Sequence, residues 1–116
     1  MRVSLRPIEP MPIAEFDAAD AADAAAELMV CCASKRWVAR LVHARPFTTL
    51  ERLLSESDAT LRSLDWADIE EAVDAYRRLG VSTGARRPDN DAVAERQAVR
   101  SELGRTVRSR LTAAFV

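Results

Sequence analysis

The chain has 116 residues, 48% hydrophobic and 30% charged, with a formal net charge of −1 and an aromatic content of only 5%. That balance excludes a disordered chain, and it excludes a global positive field that would recruit nucleic acid or an acidic membrane surface. Length bounds it to one domain with a modest core, and abundant alanine and leucine with only 3 glycines favour helices over strands.

Residues 1–13 carry Pro7, Pro10 and Pro12 and predict an extended arm preceding a single helical domain over residues 14–116. Helix one is expected from Ala14 to Cys32, with Phe16, Ala19, Ala22, Ala26 and Met29 on its inner face. A short helix follows from Lys35 to His43, capped by Ser34, with Trp37 and Leu41 turned inward. Pro46 ends it. The third helix runs from Thr49 to Leu64. Thr48 and Glu51 fit a capping box, Leu50, Leu53, Leu54, Leu61 and Leu64 form its stripe, and the polar patch Ser55 to Asp58 marks a site for a bend.

The fourth helix spans Trp66 to Leu79, with Asp65 as cap and Gly80 as stop, and Trp66, Ile69, Val73 and Tyr76 on one face. Residues Val81 to Asn90 read as a loop. The fifth helix begins near Ala92 and shows Val99, Leu103, Val107, Leu111 and Phe115 at steps of four. No segment alternates as a half-buried strand does, so the class is all-α, a compact bundle of about five helices.

Ionisable residues give few chemical signals by themselves. Cys31 and Cys32 are sequence neighbours without a wider cysteine framework, which predicts buried, reduced thiols and a cytoplasmic protein. No His/Cys spacing suggests a metal, and no apolar run is long enough for a bilayer. Basic residues are almost all arginine, Lys35 being the single lysine. Arg86, Arg87, Arg96, Arg100, Arg105 and Arg108 alternate with Asp89, Asp91, Glu95 and Glu102, which reads as a solvated mixed-charge segment rather than a nucleic-acid surface. His43, the only histidine, reads as a surface or capping group. Arg77 and Arg78 sit where a helix C-terminus favours positive charge.

The order "FDAA … CCASKRW … RPFTTLERLL … DW … AYRRLG", together with the final helix ending in Arg110–Leu111, resembles the OHCU decarboxylases. These enzymes act on 2-oxo-4-hydroxy-4-carboxy-5-ureidoimidazoline in the route from urate to (S)-allantoin. The resemblance implies a helical bundle without metal or organic cofactor, acting on a small anionic substrate. Two departures stand out. The family's general-base histidine aligns with Tyr76 and the next proline with Arg77, and the family's Ser-x-x-Glu-Gln motif has no counterpart.

By this resemblance Tyr76 is the candidate catalytic residue, and Arg77 and Arg110 are candidates for holding substrate. Each also has a plainer reading. Tyr76 fills a core face, Arg77 belongs to a helix end, and Arg110 borders an apolar stripe at the solvent rim. Tyrosine is normally neutral at pH 7 and donates a hydrogen bond, so it is a poor general base. Three functions are therefore carried forward. The first is a divergent cofactor-free lyase or proton-transfer enzyme, with specialised metabolism as a setting. The second is a non-catalytic binding module, and the third is the retained parental decarboxylase. A homodimer is also expected, because the stripes of the fourth and fifth helices would otherwise stay wet in so short a chain.

Overall fold

The computed structural model describes residues 9–80 and 92–116. Its described residues form six helices: α1 Ile13–Ala18, α2 Ala21–Cys31, α3 Lys35–Ala44, α4 Leu50–Ser63, α5 Trp66–Arg78 and α6 Ala92–Ala114. No strand occurs among them; the one extended contact is an isolated parallel bridge between Met11 and Phe115. The all-α expectation holds. The expected loop at Val81 to Asn90, and Arg86, Arg87, Asp89 and Asp91, lie outside the described residues.

Expected helix one is two helices. Ala19 and Asp20 are extended, with ψ of 155° and 154°. A tertiary contact replaces the helical bonds at this break. The Arg45 guanidinium donates through Nη1 to the carbonyls of Phe16 (2.8 Å) and Ala19 (2.7 Å). In return, the Asp17 carboxylate accepts the amides of Phe47 (2.9 Å) and Thr48 (2.9 Å). Phe47 stacks near Phe16, and Phe115 meets Phe16 edge-on at 5.0 Å. The Arg-Pro-Phe turn is thus a clasp between α1 and the start of α4. Because the break resets the helical phase, α2 buries Ala24, Leu28 and Cys31 and leaves Ala22, Ala26 and Met29 exposed, contrary to the projection from Phe16.

Capping follows the sequence with two corrections. Ser34 accepts the Trp37 amide as expected. At α4 the cap is Thr49, not Thr48, and it accepts the Arg52 amide at 3.2 Å. Thr48 has a left-handed φ of 76° and gives its amide to Asp17, so it is unavailable as a cap. Asp65 occupies the N-cap of α5, yet its side chain makes no cap bond. Its value there is a negative charge near the helix's positive end. Gly80, with φ of 78°, stops α5 in the left-handed conformation that glycine adopts without strain.

The patch from Ser55 to Asp58 leaves α4 continuous from Leu50 to Ser63, and Ser57 is buried to accept the Trp37 indole N–H at 3.0 Å.

α6 organises the bundle. It packs against α4, α2 and α5, and Val99, Leu103, Val107, Leu111 and Phe115 are all buried. Ile69, Val73 and Tyr76 of α5 are buried too. The chain end is tied back by Met11 N–H to Ala114 O, Ile13 N–H to Val116 O and Val116 N–H to Met11 O, at 2.8, 2.8 and 2.9 Å. One chain covers these stripes, Trp66 only in part, so the expected homodimer is not needed to bury them.

This makes Leu103, fully buried, a probe of assembly as well as of packing. Leu103→Ala is expected to cost about 2–5 kcal/mol. Its thermal midpoint, like that of the parent, should not change with protein concentration. A midpoint that climbs with concentration in either protein would instead mark stability drawn from association.

Candidate functional site

The family-like positions converge where α2, α5 and α6 meet. Tyr76 is buried on α5, and its hydroxyl donates to the carbonyl of Cys31 at the end of α2. The last carbonyls of a helix lack an intrahelical partner, so this bond satisfies one of them and pins α5 to α2. The Arg110 guanidinium, from α6, lies over the Tyr76 ring at 5.3 Å from its centroid. Cys31 and Cys32 complete the cluster, both buried and unpaired by disulfide.

Electrostatics keep this cluster neutral apart from Arg110. Burial pushes the Tyr76 hydroxyl up, Cys32 adds to the rise, and Arg110 only partly opposes it. Burial likewise pushes the Cys31 thiol up to about 11, against Arg110 and with Glu27. The Cys32 thiol rises to about 12, again chiefly by burial. Neither sulfur is an activated nucleophile. The ionisable groups acting on the tyrosine are Cys32, Arg110 and Cys31; no histidine or carboxylate is among them. A buried neutral phenol whose hydroxyl already donates to a backbone carbonyl is a poor general base.

Arg110 is half-buried, and among the described residues no carboxylate lies within ion-pair distance of it. A guanidinium held by an aromatic face still presents a planar fork of donors, suited to a carboxylate. Arg77 is not part of this arrangement. It lies on the exposed side of α5, with Nη1 at 3.4 Å from Asp74. His43 is exposed in the last turn of α3, beside an α2–α3 groove that includes Ala25, Met29 and Val42. No group of three His, Cys, Asp or Glu side chains able to hold a metal gathers among the described residues.

The family model for OHCU decarboxylase matches residues 17–114. The chain belongs to the OHCU decarboxylase family. Comparison with curated proteins and with solved structures gives no match. Family membership supports a decarboxylase role at the level of the family, whose substrate is a small anion. No helix among the described residues is long and apolar enough to cross a membrane.

Of the three candidates from the sequence, the structure brings Tyr76 and Arg110 together and leaves Arg77 apart. Sequence reasoning missed the Cys31 carbonyl, because a backbone acceptor leaves no mark in side-chain patterns. The "CC" step did locate the end of α2 where that carbonyl lies.

Two measurements follow. Tyr76→Phe leaves the buried Cys31 carbonyl without its donor, and is expected to cost about 1–3 kcal/mol in denaturant unfolding. The second concerns pH. Cys31, Cys32 and Tyr76 all keep their protons to higher pH in the folded chain than in the unfolded one. Stability is therefore expected to be fully present below the ordinary thiol value of 9.0 and to fall as pH rises toward about 12. The slope should shrink when Cys31 and Cys32 are both replaced by alanine.

Proposed function

We propose that this chain is a divergent, cofactor-free member of its family that binds a small organic anion at Arg110 and no longer carries parental proton transfer at position 76. The observation that supports this reading is the pairing of Arg110 with Tyr76. The cation is half-buried over the ring and has no carboxylate partner among the described residues. The hydroxyl beneath it is already donating to Cys31. Substrate anchoring is therefore retained, and the base is not.

Decarboxylation of the parental kind needs three things: an anchor for the anion, a water-poor pocket, and a group that delivers or removes a proton near neutrality. Arg110 supplies the first. The buried faces of Cys31 and Tyr76 supply low polarity beside it. Position 76 does not supply the third, since burial holds its phenol protonated and that hydroxyl already donates to the Cys31 carbonyl.

A second reading, a cofactor-free lyase working on another carboxylate substrate, is favoured by the family match over residues 17–114. In that case Arg110 holds the substrate, and the proton comes from a group other than Tyr76.

The deciding experiment uses the ureidoimidazoline generated in place, with (S)-allantoin formation and ligand binding both followed. Expected are binding without acceleration of decarboxylation, and at least a tenfold loss of binding in Arg110→Gln, in line with one charge-assisted contact of about 1.5–3 kcal/mol. A family-like rate would overturn the proposal. So would Arg110→Gln binding as tightly as the parent.

A further inference from the structure

A second concentration of positive charge lies on the other flank of α6. At about 100° per residue, Arg110 stands roughly 120–160° around the helix from Gly104, Arg105 and Arg108. Those three face α4, where they border a groove of about 360 Å³ with Arg62 and Arg100. Four guanidiniums therefore line it, against the single carboxylate of Asp58.

The four arginines are held differently. Arg100 donates Nη1 to the carbonyls of Leu61 (2.9 Å) and Leu64 (2.8 Å), which fixes it at the end of α4. Arg108 pairs with Asp58 at 2.7 Å, and Arg105 pairs with Glu102. Arg62 has no carboxylate in ion-pair range among the described residues. A guanidinium carries five donors in a fixed fork, so one partner does not exhaust it. Beyond the Asp58–Arg108 bridge the lining changes to alternating Glu51 and Arg52, and the excess of positive charge ends there.

Gly104 forms part of the same wall. It sits inside a helix of 23 residues, where glycine is disfavoured relative to alanine. Packing does not account for it, since a Cβ built there meets no atom within 4 Å. Its helical backbone does not require glycine either, unlike Gly80. What the missing side chain does is leave the groove open down to the helix backbone.

We propose that this α4–α6 groove is a binding site for a small phosphate-bearing metabolite, separate from the Arg110 site. Planar guanidiniums from two helices match the oxygens of a phosphate dianion bidentately. The volume lies at the small end of metabolite pockets. Arg62 and Arg105 bind the phosphate, Arg100 and Arg108 frame it, and Gly104 gives it room.

The test is isothermal titration of the whole protein with pyrophosphate and with a sugar monophosphate, at constant ionic strength, with succinate as a carboxylate control. Expected is saturable binding of at least one phosphate compound, tighter than succinate. The double variant Arg62→Gln, Arg105→Gln should weaken it at least tenfold. Gly104→Leu, which fills the groove without altering charge, should do the same while the protein remains folded by circular dichroism. Arg110→Gln should leave this binding unchanged, so the two sites fail or succeed separately. Absence of binding at millimolar phosphate compound overturns the proposal. Equal binding of succinate by the Arg110→Gln variant, or binding indifferent to Gly104→Leu, also overturns it, since either describes unshaped surface charge.

Discussion

The burial of one stripe on α6, from Val99 to Phe115, is the constraint to which the other helices conform. A helix of 23 residues with apolar side chains every fourth position cannot remain wet on that face, and α4, α2 and α5 close over it in turn. At its far end Phe115 reaches Phe16, and the backbone of residues 114–116 pairs with Met11 and Ile13. Residues 11–13 and 114–116 are thereby held together. Shorter elements are then fixed by polar clasps that would be weak alone: Arg45 and Asp17 across the α1 break, and Arg36 with Asp68 and Lys35 with Glu71 between α3 and α5. The last two pairs are largely exposed on their cationic side, so they orient α3 more than they stabilise it.

Placing that stripe inward sends its two flanks to different neighbours. One flank carries Arg110 to the α2–α5 junction; the other carries Arg105 and Arg108 to α4. The same helix thus serves two chemically distinct surroundings, one apolar and neutral around a lone cation, the other open and rich in cations. Covering a core and positioning charge are here a single structural act, because a helix with a fixed inner face has fixed outer faces.

Tyr76 stands where the resemblance places the family's histidine. A neutral phenol in this buried place can satisfy the end of α2, which a group that must gain and lose a proton does less well, since burial opposes whichever form is charged. The Tyr76 bond to Cys31 joins two helices through an otherwise orphaned carbonyl. Arg110 then rests on the ring face, where the π-electrons favour a cation, rather than beside a carboxylate. Arginine is used in several other ways in the chain: as a cap of carbonyls at Arg45 and Arg100, and as a cation over an indole at Arg96, 5.0 Å from the Trp66 ring. Its planar fork suits each of these, which a compact ammonium would not.

The sequence by itself determined the helical class, the ends of α3, α5 and α6 to within about two residues, and the burial of the α4, α5 and α6 stripes apart from Leu50 and Trp66, which are partly buried. These depend on periodicity and on cap residues such as Ser34 and Gly80, which act within one turn. The ordered motifs also determined the family, and with it the attention to Tyr76 and Arg110. Tertiary structure decided the rest. The break at Ala19–Asp20 exists because Arg45, far along the chain, takes the carbonyls of α1, and Thr48 loses its capping role because Asp17 takes its amide. Tyr76 pins α5 to α2 through a backbone carbonyl that leaves no trace in side-chain patterns. The arginines of α6, alternating with acids along the chain, read as a solvated face, whereas α4 brings Arg62 beside them and turns part of that face into a groove. Local signals specify which face of a helix is apolar. Which neighbour covers that face, and so what its flanks meet, is settled only when the helices pack.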